Sequence, residues 1–208
     1  MVGGGDVAHR KAAALLNCGA RVTVVATVVC EKFQELALAG EIELRKRPFR
    51  PEDLDGMFLV IGATDDRALN LEIKTSADQK GALCNIADCP EACHFILPAV
   101  VERGDLVIAI STSGKSPAFA KKLRKDLETV FGPEYADFLK LMGAIRRRLL
   151  SGKHQPEEHR QLFEALIDKG LLHMIKDCDQ AGIDSLLYET LGSGYRFDEL
   201  MEMEPEDR

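Results

Sequence analysis

Val2-Gly3-Gly4-Gly5-Asp6-Val7-Ala8, at the head of the chain, has the G-x-G-x-x-A form of a dinucleotide-binding turn. In that pattern Gly3 permits a tight turn, Gly5 lets backbone amides approach a pyrophosphate, and Ala8 allows a helix to pack closely on a strand. The helix that follows would offer its N-terminal amides to phosphate oxygens. Glycine-rich turns are common, so the meaning of this one depends on a βαβ context around it.

The context is present. Residues 8–18 (AHRKAAALLNC) are rich in helix formers, with Ala12, Leu15 and Leu16 on one face and Gly19 as a stop. Residues 21–26 (RVTVVA) read as a buried parallel strand. A second helix is expected near 31–38, ending at Gly40, with further strands at 42–47, 58–63, 83–86 and 106–111. This alternation predicts an α/β fold, a doubly wound, Rossmann-like parallel sheet. Two features depart from the pattern. No Asp or Glu closes the second strand, where Ala26 and Thr27 stand, so the ribose would be held by backbone or hydroxyl contacts, and both NAD and NADP stay open. A parallel strand also needs about five residues, yet only Met1 and Val2 precede the glycines. Either the first strand is a stub or the natural start lies upstream of the recorded one, and the second alternative is preferred.

At 208 residues the chain could be one large domain or two small ones, with ample length for a core. A net charge of -7 argues against nonspecific nucleic-acid binding. No apolar run approaches the roughly 20 residues of a membrane span, and no signal peptide is visible, so a cytoplasmic protein is expected. Its six cysteines would stay reduced there. Up to about residue 97 the pattern is βαβ, whereas from Pro117 it is helical. Helices are expected at 117–130, 133–150, 156–169 and 171–179, with junctions at Gly132-Pro133 and Gly152 and a frayed acidic end at 201–208.

Three constellations carry chemistry. Gly62-Ala63-Thr64-Asp65-Asp66 closes a strand at the edge where open α/β sheets collect ligands. The two aspartates suit a helix cap equally well, which leaves Thr64 as the better cofactor contact. Ser111-Thr112-Ser113-Gly114-Lys115-Ser116-Pro117 suggests a phosphate loop, but that motif needs a glycine where Ala109 sits, which argues against a nucleotide kinase. Ser116 as cap and Pro117 at the first helical position explain much of it structurally. The hydroxyls, Lys115 and the helix start would still suit carboxylates, and Lys121, Lys122, Arg124, Lys125 and Arg146 to Arg148 extend the basic surface, with a solvated helix face as the plain alternative. The third constellation is Asn85-Ile86-Ala87-Asp88, a lone carboxylate just past an apolar strand, flanked by Cys84, Cys89, Cys93 and His94. The cysteine spacing fits no standard zinc pair, so no metal site is assigned, and buried free cysteine is the ordinary reading.

Val2 to Ala8 followed by Arg10-Lys11, Ala63 to Asp66 with Asn70, Asn85 to Asp88 with Pro90, Phe95-Ile96 with Pro98, Arg103, and Ser116-Pro117 with Arg124 together resemble the precorrin-2 dehydrogenase/sirohydrochlorin ferrochelatase family, the N-terminal module of siroheme synthase. The likeness runs through about residues 2 to 130. It implies a nucleotide-binding domain (1–97), a dimerisation segment (98–130) and a helical C-terminal domain (131–208), assembled as a homodimer. It further implies NAD-dependent oxidation of precorrin-2 to sirohydrochlorin, with ferrous iron insertion as a second step open to the same chain. Asp88 would be the catalytic group. Gly3, Gly5, Asp6, Val7, Thr27, Val28 and Thr64 are the cofactor candidates, and Thr112, Ser113, Lys115, Ser116 and Arg124 the substrate candidates. Thr27 departs from a proline common in the family, and Thr112-Ser113 from a frequent serine-glycine pair. A noncatalytic NAD-sensing module is the competing reading, but it leaves Asp88 and the basic residues unexplained.

Overall fold

A computed structural model describes residues 1–87, 89–151 and 156–203. The chain forms two compact units, Met1–Leu97 and Pro98–Arg208. The first contains α1 (Asp6–Asn17), β1 (Val22–Val25), α2 (Glu31–Leu38), β2 (Ile42–Arg45), β3 (Leu59–Gly62), α3 (Arg67–Lys80) and β4 (Leu83–Ile86). β1 pairs in parallel with β2, Val22 opposite Ile42, and β3 with β4, Leu59 opposite Leu83. Val2 joins the two pairs, bridging Val25 on one side and Gly62 on the other, both in parallel. Its amide donates to the Ile61 carbonyl at 2.8 Å, and its own carbonyl accepts from Ala63 at 2.8 Å. The sheet therefore runs β2-β1-Val2-β3-β4, and its first strand is one bridged residue long in this chain.

The apolar strands explain why this sheet is buried on both faces. On one face Val22, Val24 and Ile42 pack with Ala8, Ala12 and Phe33 from the helices. On the other, Val60, Cys84 and Ile86 pack with Ile73 and Ala77 of α3 and with Leu54. β2 stops at Arg45, short of the expected residue 47. Arg45 and Arg47 both turn their guanidinium groups onto the buried Asp53, the Arg47 Nη1 to Asp53 Oδ2 bond being 2.8 Å.

The second unit corrects the expected sheet. Residues 106–111 do not extend the parallel array. Instead β6 (Leu106–Ile110) pairs antiparallel with β5 (Ala99–Arg103), a strand the hydrophobic pattern did not reveal. Gly104-Asp105 joins them, a two-residue connection of the kind that favours a hairpin. α4 (Pro117–Val130) covers one face, burying Val101, Ile110 and Ala120 together. Then follow α5 (Glu134–Leu150), α6 (Pro156–Asp168), α7 (Leu171–Lys176), α8 (Gln180–Leu191) and α9 (Phe197–Met201). The single helix expected at 171–179 ends early because Cys178 takes a positive φ of 56° and Asp179 caps a new helix, accepting from the Gly182 amide at 2.9 Å. α8 and α9 complete a core around Leu141, Ile145, Leu166, Leu171, Ile183, Leu187 and Leu200. Met201 and Met203, expected to fray, pack against that core, while residues 204–208 and the expected junction at Gly152 lie outside the described residues. Among the described residues no helix is long and apolar enough to cross a membrane.

Candidate functional site

Three consecutive glycines divide the labour in the first turn. Gly3 has φ 119°, and a Cβ there would fall 2.3 Å from the Ala63 carbonyl oxygen. A Cβ on Gly4 would fall 2.0 Å from the Val28 carbonyl oxygen, in a spot already tied by the Cys30 amide donating to the Gly4 carbonyl at 2.8 Å. Around Gly5, by contrast, nothing comes within 4 Å of such an atom. Gly3 and Gly4 are thus glycines because the protein's own backbone approaches them. Gly5 faces open space, where a pyrophosphate could come close to the chain.

Gly5 is also the N-cap of α1, and no side chain caps that helix. Its first amides are the orphan donors of a helix start, with a partial positive charge suited to an anion. Asp6 and Val7 are exposed on this turn, whereas Ala8 is fully buried, as the close helix-to-strand approach requires. Thr27 and Val28 leave the carboxyl end of β1 exposed, Val28 to 80%. Thr64 follows β3 at the same sheet edge. The residues present therefore fit a dinucleotide.

Thr64 has a second duty. Its Oγ1 lies 2.8 Å from Asn70 Oδ1, and Asn70 Nδ2 donates to the Thr64 carbonyl at 3.0 Å. The Thr64 hydroxyl proton is engaged within the protein, which leaves that oxygen its lone pairs as an acceptor. Asp66 is the α3 cap, accepting from Ala68 and Leu69 at 2.9 and 3.1 Å.

Asp88 lies outside the described residues. The backbone leading to it is well placed: the Ala87 amide donates to the Gly62 carbonyl at 2.8 Å, carrying the β3–β4 ladder one residue past Ile86. The flanking sulfur and imidazole groups are wired into the fold. Burial pushes the Cys84 thiol up to about 11, and burial also raises that of Cys89. Cys93 Sγ sits 3.2 Å from the Ile86 amide and 3.2 Å from the Cys89 carbonyl. His94 Nδ1 accepts from the Cys84 amide at 3.0 Å, and its Nε2 lies 2.9 Å from Asp78 Oδ1. The Lys74 ammonium bonded to Asp78 holds that carboxyl below its ordinary range. Among the described residues no group of three or more such side chains is arranged to hold a metal ion.

The second unit brings Thr112, Ser113, Lys115 and Ser116 into one turn. Thr112 Oγ1 accepts from the Ser116 amide at 3.1 Å, and the Lys115 amide donates to the Thr112 carbonyl at 2.9 Å. Ser113 stands at φ 51° with its amide on Ser111 Oγ at 3.1 Å, while Ser116 Oγ caps α4 through the Phe119 amide at 3.3 Å. Lys115 is exposed. Arg124, further along α4, pairs with Glu128, and Lys122 with Asp126, so the basic face is partly neutralised. Sequence reading gave no role to Gly4 or to Asn85. The signal for Asn85 was an amide inside an otherwise apolar strand.

Residues 1–99 match an NAD(P)-binding family model, and residues 103–129 match the sirohaem biosynthesis protein central family. A siroheme synthase of Methylococcus capsulatus is 39% identical over 168 residues, which are 81% of this chain and 35% of that protein. One from Photorhabdus laumondii is 40% identical over 164 residues, 79% of this chain and 35% of the relative. One from Escherichia coli O139:H28 is 38% identical over 184 residues, 88% and 40% respectively. The chain thus spans well under half the length of these curated relatives. Among solved structures, a precorrin-2 dehydrogenase, SirC, superposes with a TM-score of 0.72 at 28% identity, covering 85% of this chain and 92% of that one.

Proposed function

We propose that this chain, similar to siroheme synthases over most of its length and to a precorrin-2 dehydrogenase in fold, is a member of that family and oxidises precorrin-2 to sirohydrochlorin with NAD as acceptor. The observation that carries the reading is the open Gly5 turn at an uncapped helix start, on the same sheet edge that leads to Asp88. Gly3, Gly5, Asp6, Val7, Thr27, Val28 and Thr64 would surround the cofactor, NAD being preferred to NADP. When bound, the nicotinamide takes up the two electrons of the oxidation as hydride. The substrate also loses a proton, and Asp88 is the base assigned to accept it, a role worth typically 10²–10⁴-fold.

Precorrin-2 bears eight carboxylates. On a chain of net charge -7, Lys115 beside the hydroxyls of Thr112, Ser113 and Ser116, with Arg124 beyond, is a local exception suited to them. Ferrous iron is a substrate of a further step in this proposal: it displaces two pyrrole protons from sirohydrochlorin, and Asp88 could take one of them. The hairpin supports a homodimer. Its outward residues Val100 and Val107 are exposed apolar side chains, and a second copy of this chain is the partner proposed to cover them. Residues 98–130 would then form a dimerisation segment and 131–208 a helical domain, in a cytoplasmic enzyme.

The test is anaerobic incubation with precorrin-2 and NAD, following sirohydrochlorin absorbance and then adding ferrous iron. Asp88→Asn should lower dehydrogenation by about two to four orders of magnitude with NAD affinity retained. Loss of iron insertion in the same variant places both steps at one carboxylate. Near-normal rates in both steps would remove Asp88 from catalysis.

A further inference from the structure

The strand that leads to Asp88 contains one buried polar side chain, Asn85, 5% exposed among apolar neighbours. A buried amide persists only where its hydrogen bonds are made, and those of Asn85 reach in two directions. Its Oδ1 accepts from Lys11 Nζ at 3.2 Å, and Lys11 belongs to α1, the helix that opens at Gly5. Its Nδ2 donates to the Phe95 carbonyl at 2.9 Å and lies 3.5 Å from Cys93 Sγ. Cys93 in turn lies 3.2 Å from the Ile86 amide and 3.3 Å from the Ile86 carbonyl, closing the segment that leaves β4 back onto its own strand.

We propose that Asn85 is a positioning residue, the joint that ties residues 86–87 and 89–95, the chain on either side of Asp88, to the cofactor helix α1. The inference rests on the assignment of Asp88 as base and deepens it. A proton acceptor must be held within hydrogen-bond reach of the atom it serves, and a misplacement of about 1 Å can cost about 10²-fold. Glycines and a bridged valine hold the cofactor turn. The β3–β4 ladder ends with the Ala87 amide on the Gly62 carbonyl, and beyond it Asn85 supplies register through side-chain bonds to α1 and to residues 93 and 95. Cys93 and His94 are thereby read as anchors of the returning chain, His94 through its amide on the Cys84 carbonyl at 2.8 Å and its Nδ1 on the Cys84 amide.

The test compares Asn85→Ala, Lys11→Met and the double variant in the full chain, with two readouts: steady-state oxidation of precorrin-2, and alkylation of Cys93 by iodoacetamide mapped by mass spectrometry. Exposed Cys18 and Cys178 serve as internal references. The expected result is a kcat lowered about 10–100-fold in Asn85→Ala, with KM and Kd for NAD unchanged and Cys93 alkylated about tenfold faster. Lys11→Met should move both readouts the same way, and the double variant should be no worse than Asn85→Ala, because both changes cut one network. Should Asn85→Ala fail to fold, Lys11→Met decides: unchanged kcat and alkylation overturn the proposal. Asp88→Asn is assayed alongside. If it is inactive while the folded Asn85 variant keeps full kcat, this inference falls and the base assignment stands. If Asp88→Asn is fully active, the base assignment falls, and a role for Asn85 toward that carboxylate falls with it.

Discussion

Two of the glycine-bearing turns that lead into helices, one in each unit, spend their backbone amides differently. At Gly3-Gly4-Gly5 the helix begins with no side-chain cap and with open space at its last glycine. At Ser111 to Ser116 three hydroxyls turn inward, onto the amides of Ser113, Ser116 and Phe119. The first turn leaves its helix start without a side-chain cap, while the second caps itself and projects Lys115. An anion at the first turn would be held by backbone and helix dipole, and one at the second chiefly by a side-chain charge.

The largest expected effects separate the three glycines. Gly4→Val drives a side chain into the Val28 carbonyl, a clash that should cost about 3 kcal/mol or more and be read as loss of the first unit's cooperative urea transition. A Cβ at Gly5 meets no protein atom within 4 Å, so Gly5→Val should fold yet bind NAD about 100-fold more weakly by calorimetric titration. Equal NAD affinity in a folded Gly5→Val would break the contrast between the turns.

Acid probes the first unit through a group that belongs to neither turn. The bond from Arg47 holds the buried Asp53 carboxyl down at about 2, helped by the Arg50 amide and Arg45, against a burial cost that would raise it. A depressed carboxyl stabilises the fold above its ordinary pKa, and that contribution is lost as pH falls from about 4 towards 2. Stability worth about 2 kcal/mol should disappear over this window. Urea unfolding at stepped pH should show the loss, and Asp53→Asn should abolish that pH dependence.

Smaller effects belong to the second turn. Lys115→Glu should raise the KM for precorrin-2 about tenfold, close to 1.4 kcal/mol, with NAD affinity unaltered. If NAD binding weakens instead, that turn serves the cofactor. Ser116→Ala removes the α4 cap and should cost about 1 kcal/mol of stability, seen in thermal unfolding, with a smaller change in KM than Lys115→Glu produces.

The first turn was legible because its chemistry is local: the glycine spacing, the helix formers after it and the apolar run of β1 all lie within a short window. The Asp66 and Ser116 caps and the limits of α4 were readable for the same reason. The hairpin was not. β5 carries the apolar run Val100-Val101 beside a charged pair, Glu102-Arg103, and only pairing with β6, with Val101 and Ile110 turned onto α4, makes it a strand. The separate helices α7 and α8 depended likewise on a positive φ at Cys178.

The sequence by itself determined the Rossmann-like character of the first unit and the residue types at both turns, because strand and helix periodicity and φ-dependent glycine requirements are written residue by residue. Tertiary structure alone decided which glycine faces open space, since Gly3, Gly4 and Gly5 look alike until Ala63 and Val28 are brought against two of them. It also decided that the Cys93 thiol and the His94 ring are fastened to backbone, and that Asn85 bonds to Lys11 across 74 positions of chain. Such contacts join residues distant in sequence, and a buried polar group reveals its partner only once the chain has packed around it.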